Sequence, residues 1–237
     1  MPRSKELNLN CYQTDKTAHR YYLDRCDSFF QEFVEQPIKL LELGVLDGGS
    51  SLLWRDYFPH GTIVGIDLKL PDVTELAKEE RIHLFEGNQV DTDFLSKVAN
   101  QIAPEGFDII IDDASHIGAL TKISFWHLFD NHLKPSGVYV IEDWGTGYWD
   151  DWPDGKTFQP KLSSSNEQEN VQDIKLGFKD SWHNHNYGMV GFLKELVDEQ
   201  GAEDLTRGLL SGRPTRKSKF HSITINPSLV FVKKNAA

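Results

Sequence analysis

Five short apolar runs alternate with stretches of helical spacing, and this alternation most constrains the fold. The runs occupy positions 39–45, 62–67, 81–85, 107–112 and 137–143. Because they carry apolar residues for both faces, they predict a parallel sheet covered by helices on both sides. Two later runs, 220–225 and 228–233, flank Asn226–Pro227 and predict a terminal antiparallel hairpin. The chain is therefore expected to have an α/β fold.

The segments between the runs complete the expected organisation. Helices are predicted from Ser50 or Ser51, as N-cap, to Phe58, over 91–102, from Gly118 to Leu133 and over 189–200. Residues 11–36 predict one or two further helices, with Thr14 as an N-cap. Residues 144–186 predict a long lid or insertion loop. We expect one domain over 1–237.

The charge and the termini exclude some functions. The chain of 237 residues has a net charge of −11, which argues against a nucleic-acid or anionic-membrane partner. The N-terminal residues lack the apolar core of a signal peptide, and no stretch approaches about 20 apolar residues. A cytoplasmic protein is expected, and Cys11 and Cys26 are predicted to be free thiols.

The turn after the first run has the composition of a ligand-binding turn. Gly44, Gly48 and Gly49 allow the backbone to approach a ligand closely, and Ser50 follows them. Their spacing differs from the dinucleotide fingerprint G-x-G-x-x-G. The acid Glu42, expected inside the turn, would repel a pyrophosphate and suits a cationic ligand. The sulfonium end of S-adenosylmethionine is such a ligand.

Three further residues follow the second and third runs and complete the expected cofactor site. Asp67 ends the second run and is placed to bind ribose hydroxyls. Asn88 and Gln89 follow the third run and border the expected adenine position.

Four acids and a histidine end the fourth and fifth runs. Asp112 and Asp113 end one run, Glu142 and Asp143 end the other, and His116 lies three residues after Asp113. The carboxyl ends of parallel strands open on one edge, where so many carboxylates are costly without a cation or a proton relay. Hard oxygen ligands suit Mg²⁺ or another hard divalent cation, such as Mn²⁺ or Ca²⁺, and the absence of cysteine with only one nearby histidine argues against zinc. Asp112 is expected to face the cofactor crevice.

These motifs resemble the class I S-adenosylmethionine-dependent methyltransferases. The similarity is greatest to metal-dependent sugar O-methyltransferases of the mycinamicin and tylosin type. It is carried by Thr14–Lys16 with His19 and Tyr22, Glu42–Val45 with Gly48–Ser50, Asp112–His116, Glu142–Asp143, Gly188–Val190 and Asn226–Phe231.

The resemblance implies a seven-stranded sheet with an antiparallel last strand. It also implies Asp113, Glu142 and Asp143 as ligands of a divalent ion and His116 as the general base. The expected partner is a hydroxylated small molecule, and self-association is possible.

An aromatic cluster follows Asp143 directly. Trp144, Tyr148 and Trp149 are the candidate substrate contacts of a lid, and Trp152 completes the cluster. Local packing of a loop is the competing interpretation. The contiguous His183–Asn184–His185 is interpreted as loop.

Other functions fit parts of this pattern. Methylation of a catechol or an amine would use the same site. A non-catalytic module that binds S-adenosylmethionine would need the cofactor turn but not His116. A dinucleotide oxidoreductase is disfavoured by the glycine spacing and by Glu42.

Overall fold

A computed structural model describes residues 2–18, 20–71, 76–158 and 185–236. Within these residues, seven strands form one sheet in the order β3-β2-β1-β4-β5-β7-β6. The strands are β1 Lys39–Leu43, β2 Thr62–Asp67, β3 Ile82–Glu86, β4 Phe107–Asp112, β5 Leu133–Glu142, β6 Phe220–Asn226 and β7 Leu229–Lys234. The first five run parallel, and β7 pairs antiparallel with both β5 and β6. The predicted α/β fold with a terminal hairpin is confirmed.

Helices cover both faces of the sheet. They are α1 Arg20–Phe30, α2 Gly49–Tyr57, α3 Thr92–Ile102, α4 Gly118–Asn131, α5 Pro153–Phe158, α6 Gly188–Gln200 and α7 Ala202–Arg207. One hydrophobic cluster packs α3, α4 and α6 on one face, and a second packs α1 and α2 on the other. Side chains of adjacent residues in a strand pack on opposite faces of the sheet, so that Ile110 of β4 belongs to the first cluster and Ile111 to the second. Both faces are thus buried, as the apolar runs predicted.

Several predicted boundaries were wrong for local reasons. Thr14 caps only a 3₁₀ turn, Asp15–Thr17, and α1 begins later, at Arg20. Gly48, with φ 79°, is the N-cap of α2 and not Ser50 or Ser51, which lie inside the helix and donate to Glu42. Helix α4 ends at Asn131, because β5 already begins at Leu133.

The predicted loop 144–186 is only partly described. Its first part contains a 3₁₀ turn, Trp144–Tyr148, followed by α5. Positions 159–184, with His183 and Asn184, lie outside the described residues, as does His19. None of the described helices has the length and apolar character needed to cross a membrane.

Candidate active site

A cleft of about 810 Å³ opens at the carboxyl ends of the parallel strands. It lies between the neighbouring strands β1 and β4. From β1 the chain continues to β2 on one side of this position in the sheet, and from β4 it continues to β5 on the other side. Ligands of open parallel sheets bind in this kind of crevice. Gly44, Gly49, Ser50, Asp67, Asn88 and Gln89 line one part of it, and Asp113, His116 and Asp143 line another. The predicted cofactor and reactive ends therefore share one cleft.

Close backbone approaches explain the glycines of the turn. Gly44 has a φ of 93°, and a Cβ there would lie 2.1 Å from the carbonyl oxygen of Asp113. A Cβ on Gly49 would lie 1.9 Å from the carbonyl oxygen of Gln13. Only glycine fits at both positions without moving the backbone.

Asp67 holds the shape of the turn from β2. Its Oδ2 accepts hydrogen bonds from the amides of Val45 at 2.7 Å and Leu46 at 3.0 Å. Leu46 itself is in the left-handed region, with a φ of 49°. The Asp67 carboxylate thus lines the cleft and also fixes the backbone opposite it.

The two residues after β3 also have protein partners. The Oδ1 atom of Asn88 accepts from the amide of Val90 at 3.1 Å. Gln89 is buried, and its Oε1 accepts from the amide of Ser115 at 3.2 Å. Both side chains are therefore oriented at the cleft wall.

The expectation that Glu42 lies in the turn is wrong, because β1 continues to Leu43. Glu42 is 0% exposed and does not line the cleft. Its carboxylate accepts from Ser50 Oγ at 2.9 Å, Ser51 Oγ at 3.3 Å and Trp54 Nε1 at 3.0 Å. Burial raises the pKa of Glu42 to about 7. The side chain is therefore part of the protein interior beneath the turn.

Asp112 is likewise buried beneath the cleft and does not line it. Its Oδ2 accepts from Ser124 Oγ at 2.7 Å and from the Tyr139 hydroxyl at 3.2 Å. Burial raises its pKa to about 6. The alternation of side chains along β4 turns Asp112 away from the side that its neighbour Asp113 occupies.

Asp113, His116 and Asp143 come together as the sequence predicted. Each offers a ligand atom, and these atoms lie within 4.8 Å of one another. Nε2 of His116 is 3.7 Å from Oδ1 of Asp113. His116 and Asp143 have left-handed backbones, with φ of 51° and 50°. Such strain in non-glycine residues concentrates at functional sites.

Glu142 has other partners. It is buried and accepts hydrogen bonds from the Tyr22 hydroxyl and, at 3.1 Å, from Lys16 Nζ. Burial, with the nearby Asp113 charge, raises its pKa well above the ordinary range. Burial also raises the pKa of Asp143. Burial thus disfavours the charged forms of both acids unless a cation lies beside them.

Lys16 was not assigned a role from the sequence. Its ammonium donates to Oδ2 of Asp113 at 2.5 Å and also contacts Glu142. The only signal was its place in the Thr14–Lys16 segment, which carries part of the family resemblance. Nothing in that segment indicated which acids it would meet.

The aromatic cluster divides in the structure. Trp152 lines the cleft, with its ring centroid 5.7 Å from that of His116, and its Nε1 donates to the Ser115 carbonyl at 3.3 Å. Trp144 instead donates to the Asn226 carbonyl at 2.8 Å and packs against the core. Tyr148 and Trp149 are about half exposed. Of the described residues that line the cleft, none is one of the three predicted substrate contacts Trp144, Tyr148 and Trp149.

The sheet order, its antiparallel hairpin and the cleft at the strand ends define a class I methyltransferase fold. No protein-family model matches the sequence. The chain superimposes on the structure of the MycE methyltransferase from the mycinamycin biosynthetic pathway in complex with Mg, SAH and mycinamycin VI, with a TM-score of 0.70 and 30% identity. The alignment covers 100% of this chain and 54% of that one.

Curated sugar O-methyltransferases are similar in sequence. The mycinamicin VI 2''-O-methyltransferase of Micromonospora griseorubida is 38% identical over 155 residues, which cover 62% of this chain and 37% of that protein. The 8-demethyl-8-alpha-L-rhamnosyl tetracenomycin-C 2'-O-methyltransferase of Streptomyces olivaceus is 30% identical over 231 residues, covering 94% and 52%. The demethylmacrocin O-methyltransferase of Streptomyces fradiae is 37% identical over 136 residues, covering 54% and 33%.

The chain is thus a relative of the sugar O-methyltransferases of the mycinamicin and macrocin type, and the predicted resemblance is confirmed. It spans about half the length, or less, of the curated relatives that it matches.

Proposed function

We propose that this protein is an S-adenosylmethionine-dependent O-methyltransferase that uses a divalent cation and acts on a sugar hydroxyl of a glycosylated natural product. The observation that carries the proposal is the shared cleft. The glycine turn with Asp67 and the Asp113–His116–Asp143 group line the same cavity, so a cofactor bound along the turn would reach the acids. The names of three relatives, each a sugar or macrolide O-methyltransferase, support the acceptor class.

The cofactor would lie along the first three strands. Gly44, Gly49 and Ser50 line the wall on which it would lie. Asp67 retains an oxygen, Oδ1, whose partner among the described residues is the amide of Lys69 at 3.3 Å. We assign that oxygen to the ribose hydroxyls and place Asn88 and Gln89 beside the adenine. Glu42 and Asp112 then support the cofactor wall from below.

The residues at the reactive end fit a hard divalent cation. The donors are carboxylate oxygens with one imidazole, and these atoms lie within 4.8 Å of one another. We propose Asp113 and Asp143 as ligands, with Glu142 joining them by turning from Lys16. When bound, such an ion lowers the pKa of a coordinated hydroxyl and orients it.

His116 is proposed as the general base. Its imidazole lines the cleft beside Asp113 and Trp152. A neutral imidazole there could accept the proton of the acceptor hydroxyl. General-base assistance of this kind contributes roughly 10²–10⁴-fold in rate. In the proposed reaction the hydroxyl oxygen would bond to the methyl carbon as the carbon–sulfur bond breaks, the hydroxyl proton would pass to His116, and S-adenosylhomocysteine would be released.

The first test separates an enzyme from a binding module. Calorimetry with S-adenosylhomocysteine measures cofactor binding, and mass spectrometry of mycinamicin VI or demethylmacrocin incubated with S-adenosylmethionine measures methyl transfer. We expect S-adenosylhomocysteine to bind, and we expect a product whose mass exceeds that of the acceptor by the replacement of one hydrogen with a methyl group. Binding without turnover on any sugar-bearing acceptor would favour the non-catalytic alternative.

The second test concerns the cation. Treatment with EDTA should abolish turnover, and Mg²⁺ should restore it. Asp143→Ala should lower kcat at least 10²-fold, whereas Asp150→Ala, at an exposed position, should not. Full activity in EDTA would exclude the metal role.

His116→Gln tests the proposed general base. It should lower kcat while leaving S-adenosylhomocysteine affinity within about threefold.

A further inference from the structure

Lys16 is a buried cation among acids that come from three different strands. Its side chain is 1% exposed, although lysine is almost never fully buried unless it is paired. Nζ lies 2.5 Å from Oδ2 of Asp113, 3.1 Å from Glu142 and 4.0 Å from Oε1 of Glu42. The ammonium thus bridges the ends of β1, β4 and β5.

The backbone around Lys16 is fixed by two independent contacts. The Thr14 hydroxyl accepts from the Lys16 amide at 3.3 Å and caps the 3₁₀ turn. The carbonyl of Gln13 lies so close to Gly49 that no Cβ fits between them. The lysine therefore reaches the acids from a segment that is held against the start of α2.

The oxygens of Asp113 are divided between two sides. Oδ2 contacts Lys16, and Oδ1 faces His116. Glu142 is held from the protein side by Lys16 and by the Tyr22 hydroxyl. Asp143 lies on the cleft side with His116. One face of the acid group is thus closed by the protein, and the other is open to the cleft.

We propose that Lys16 is a positioning residue and built-in counter-ion of the acid group, and that it shares this group with the divalent cation. The part that concerns the divalent cation rests on the function proposed above. The ammonium hydrogen-bonds to Asp113 and Glu142, whereas Asp143 lies on the open face with Asp113 and His116, so the group presents carboxylate oxygens to a second cation on that face. The ammonium also opposes that second cation by like-charge repulsion, and it therefore sets the affinity for the metal as well as the orientation of the ligands.

The test is Lys16→Met, which keeps most of the side-chain volume and removes the charge. In EDTA we expect a fall in Tm of roughly 10 °C, because one partner of a buried ion group is lost. Mg²⁺ should raise the Tm of this variant more than that of the wild type, with an apparent affinity that is roughly tenfold tighter. At saturating Mg²⁺, kcat should still be at least about tenfold lower, since Asp113 and Glu142 are free to turn.

Lys122→Met is the matched control, because Lys122 forms a surface ion pair with Glu195 at 2.6 Å. It should change neither the Tm nor the response to Mg²⁺. An equal Mg²⁺ response in Lys16→Met and wild type, or an unchanged Tm in EDTA, would overturn the proposal. Simple destabilisation does not predict a tighter metal affinity together with a lower kcat.

A second variant covers the case in which Lys16→Met does not fold. The double variant Lys16→Met/Glu142→Gln lacks the ammonium and also the carboxyl group of its buried partner Glu142. It should regain a cooperative unfolding transition. A double variant as unfolded as the single one would also overturn the proposal. Failure of the proposed function is recognised separately, because it would appear in the wild type as no cofactor binding or as full activity in EDTA.

Discussion

The indole ring of Trp152 lies 5.7 Å from the imidazole of His116, at the wall of the cleft. The indole is fixed there by its hydrogen bond to the Ser115 carbonyl. The proposed base therefore works beside an aromatic surface, on which the apolar face of a sugar ring can pack.

Trp152→Ala should lower kcat/KM for the acceptor by roughly 10–100-fold, mainly by raising KM. Loss of the aromatic wall removes packing area for the acceptor and admits water beside His116. S-adenosylhomocysteine affinity, measured by calorimetry, should stay within about threefold. Trp149→Ala is the control, because Trp149 is 50% exposed and does not line the cleft. A larger fall in kcat/KM for the acceptor in Trp149→Ala than in Trp152→Ala would contradict this assignment.

Asp154→Ala should destabilise the protein by about 2–4 kcal/mol. Oδ2 of the buried Asp154 accepts from the amides of Gly118 and Met189, both at 2.8 Å, and so joins the N-termini of α4 and α6. Its removal leaves two helix-terminal donors without a partner. Urea unfolding measures the change, and Asp151→Ala, at an exposed site, should be neutral within about 0.5 kcal/mol. Equal urea midpoints for Asp154→Ala and Asp151→Ala would show that the two hydrogen bonds accepted by Asp154 do not stabilise the protein.

The strands and most helices were predictable because their signals are local. The spacing of Leu95, Val98 and Ile102 determines which side of α3 faces the sheet. Asp113, His116 and Asp143 were also predictable as a group, because parallel neighbours end at the same edge. Their grouping follows from the order and direction of β4 and β5 alone.

The remaining features depend on contacts that no local pattern contains. Lys16 meets Asp113 across 97 positions of sequence, so its partners follow only from the packing of the N-terminal segment. Trp149 and Trp152 are both in an irregular segment, where no fixed period indicates which side chain faces inward. The role expected for Glu42 placed its side chain in the turn, although the residue lies within the predicted run 39–45, and the structure buries it inside β1, which ends at Leu43.

Gly44→Ala should destabilise the protein by at least about 2 kcal/mol and abolish S-adenosylhomocysteine binding. The left-handed backbone is strained for alanine, and its Cβ would collide with the Asp113 carbonyl, which lies at the reactive end. Gly145→Ala provides the contrast, since nothing lies within 4 Å of a Cβ there. Thermal unfolding and calorimetry on both variants check the prediction. Normal cofactor binding by Gly44→Ala would argue against a cofactor along this turn.

Glu42 should make the metal-free protein less stable as pH rises through about 7. Burial raises its folded-state pKa to about 7, whereas an unfolded chain has a glutamate pKa of about 4.3. Between these values the folded protein holds a proton that the unfolded chain has lost. The stabilisation is therefore fully present below about pH 4 and is lost as the carboxyl ionises in the folded state. Between pH 5 and 8.5 the loss should be on the order of 2 kcal/mol.

Glu42→Gln should remove this part of the pH dependence because the amide has no charge; its oxygen can accept from Trp54, and its NH₂ can donate to the serine hydroxyls. Urea unfolding in EDTA at several pH values measures the slope for wild type and variant. Glu105→Gln, at an exposed position, should leave the wild-type slope unchanged. A Glu42→Gln profile that parallels the wild type over this range would mean that Glu42 is already ionised in the folded protein at pH 5, with Lys16 as its compensating charge.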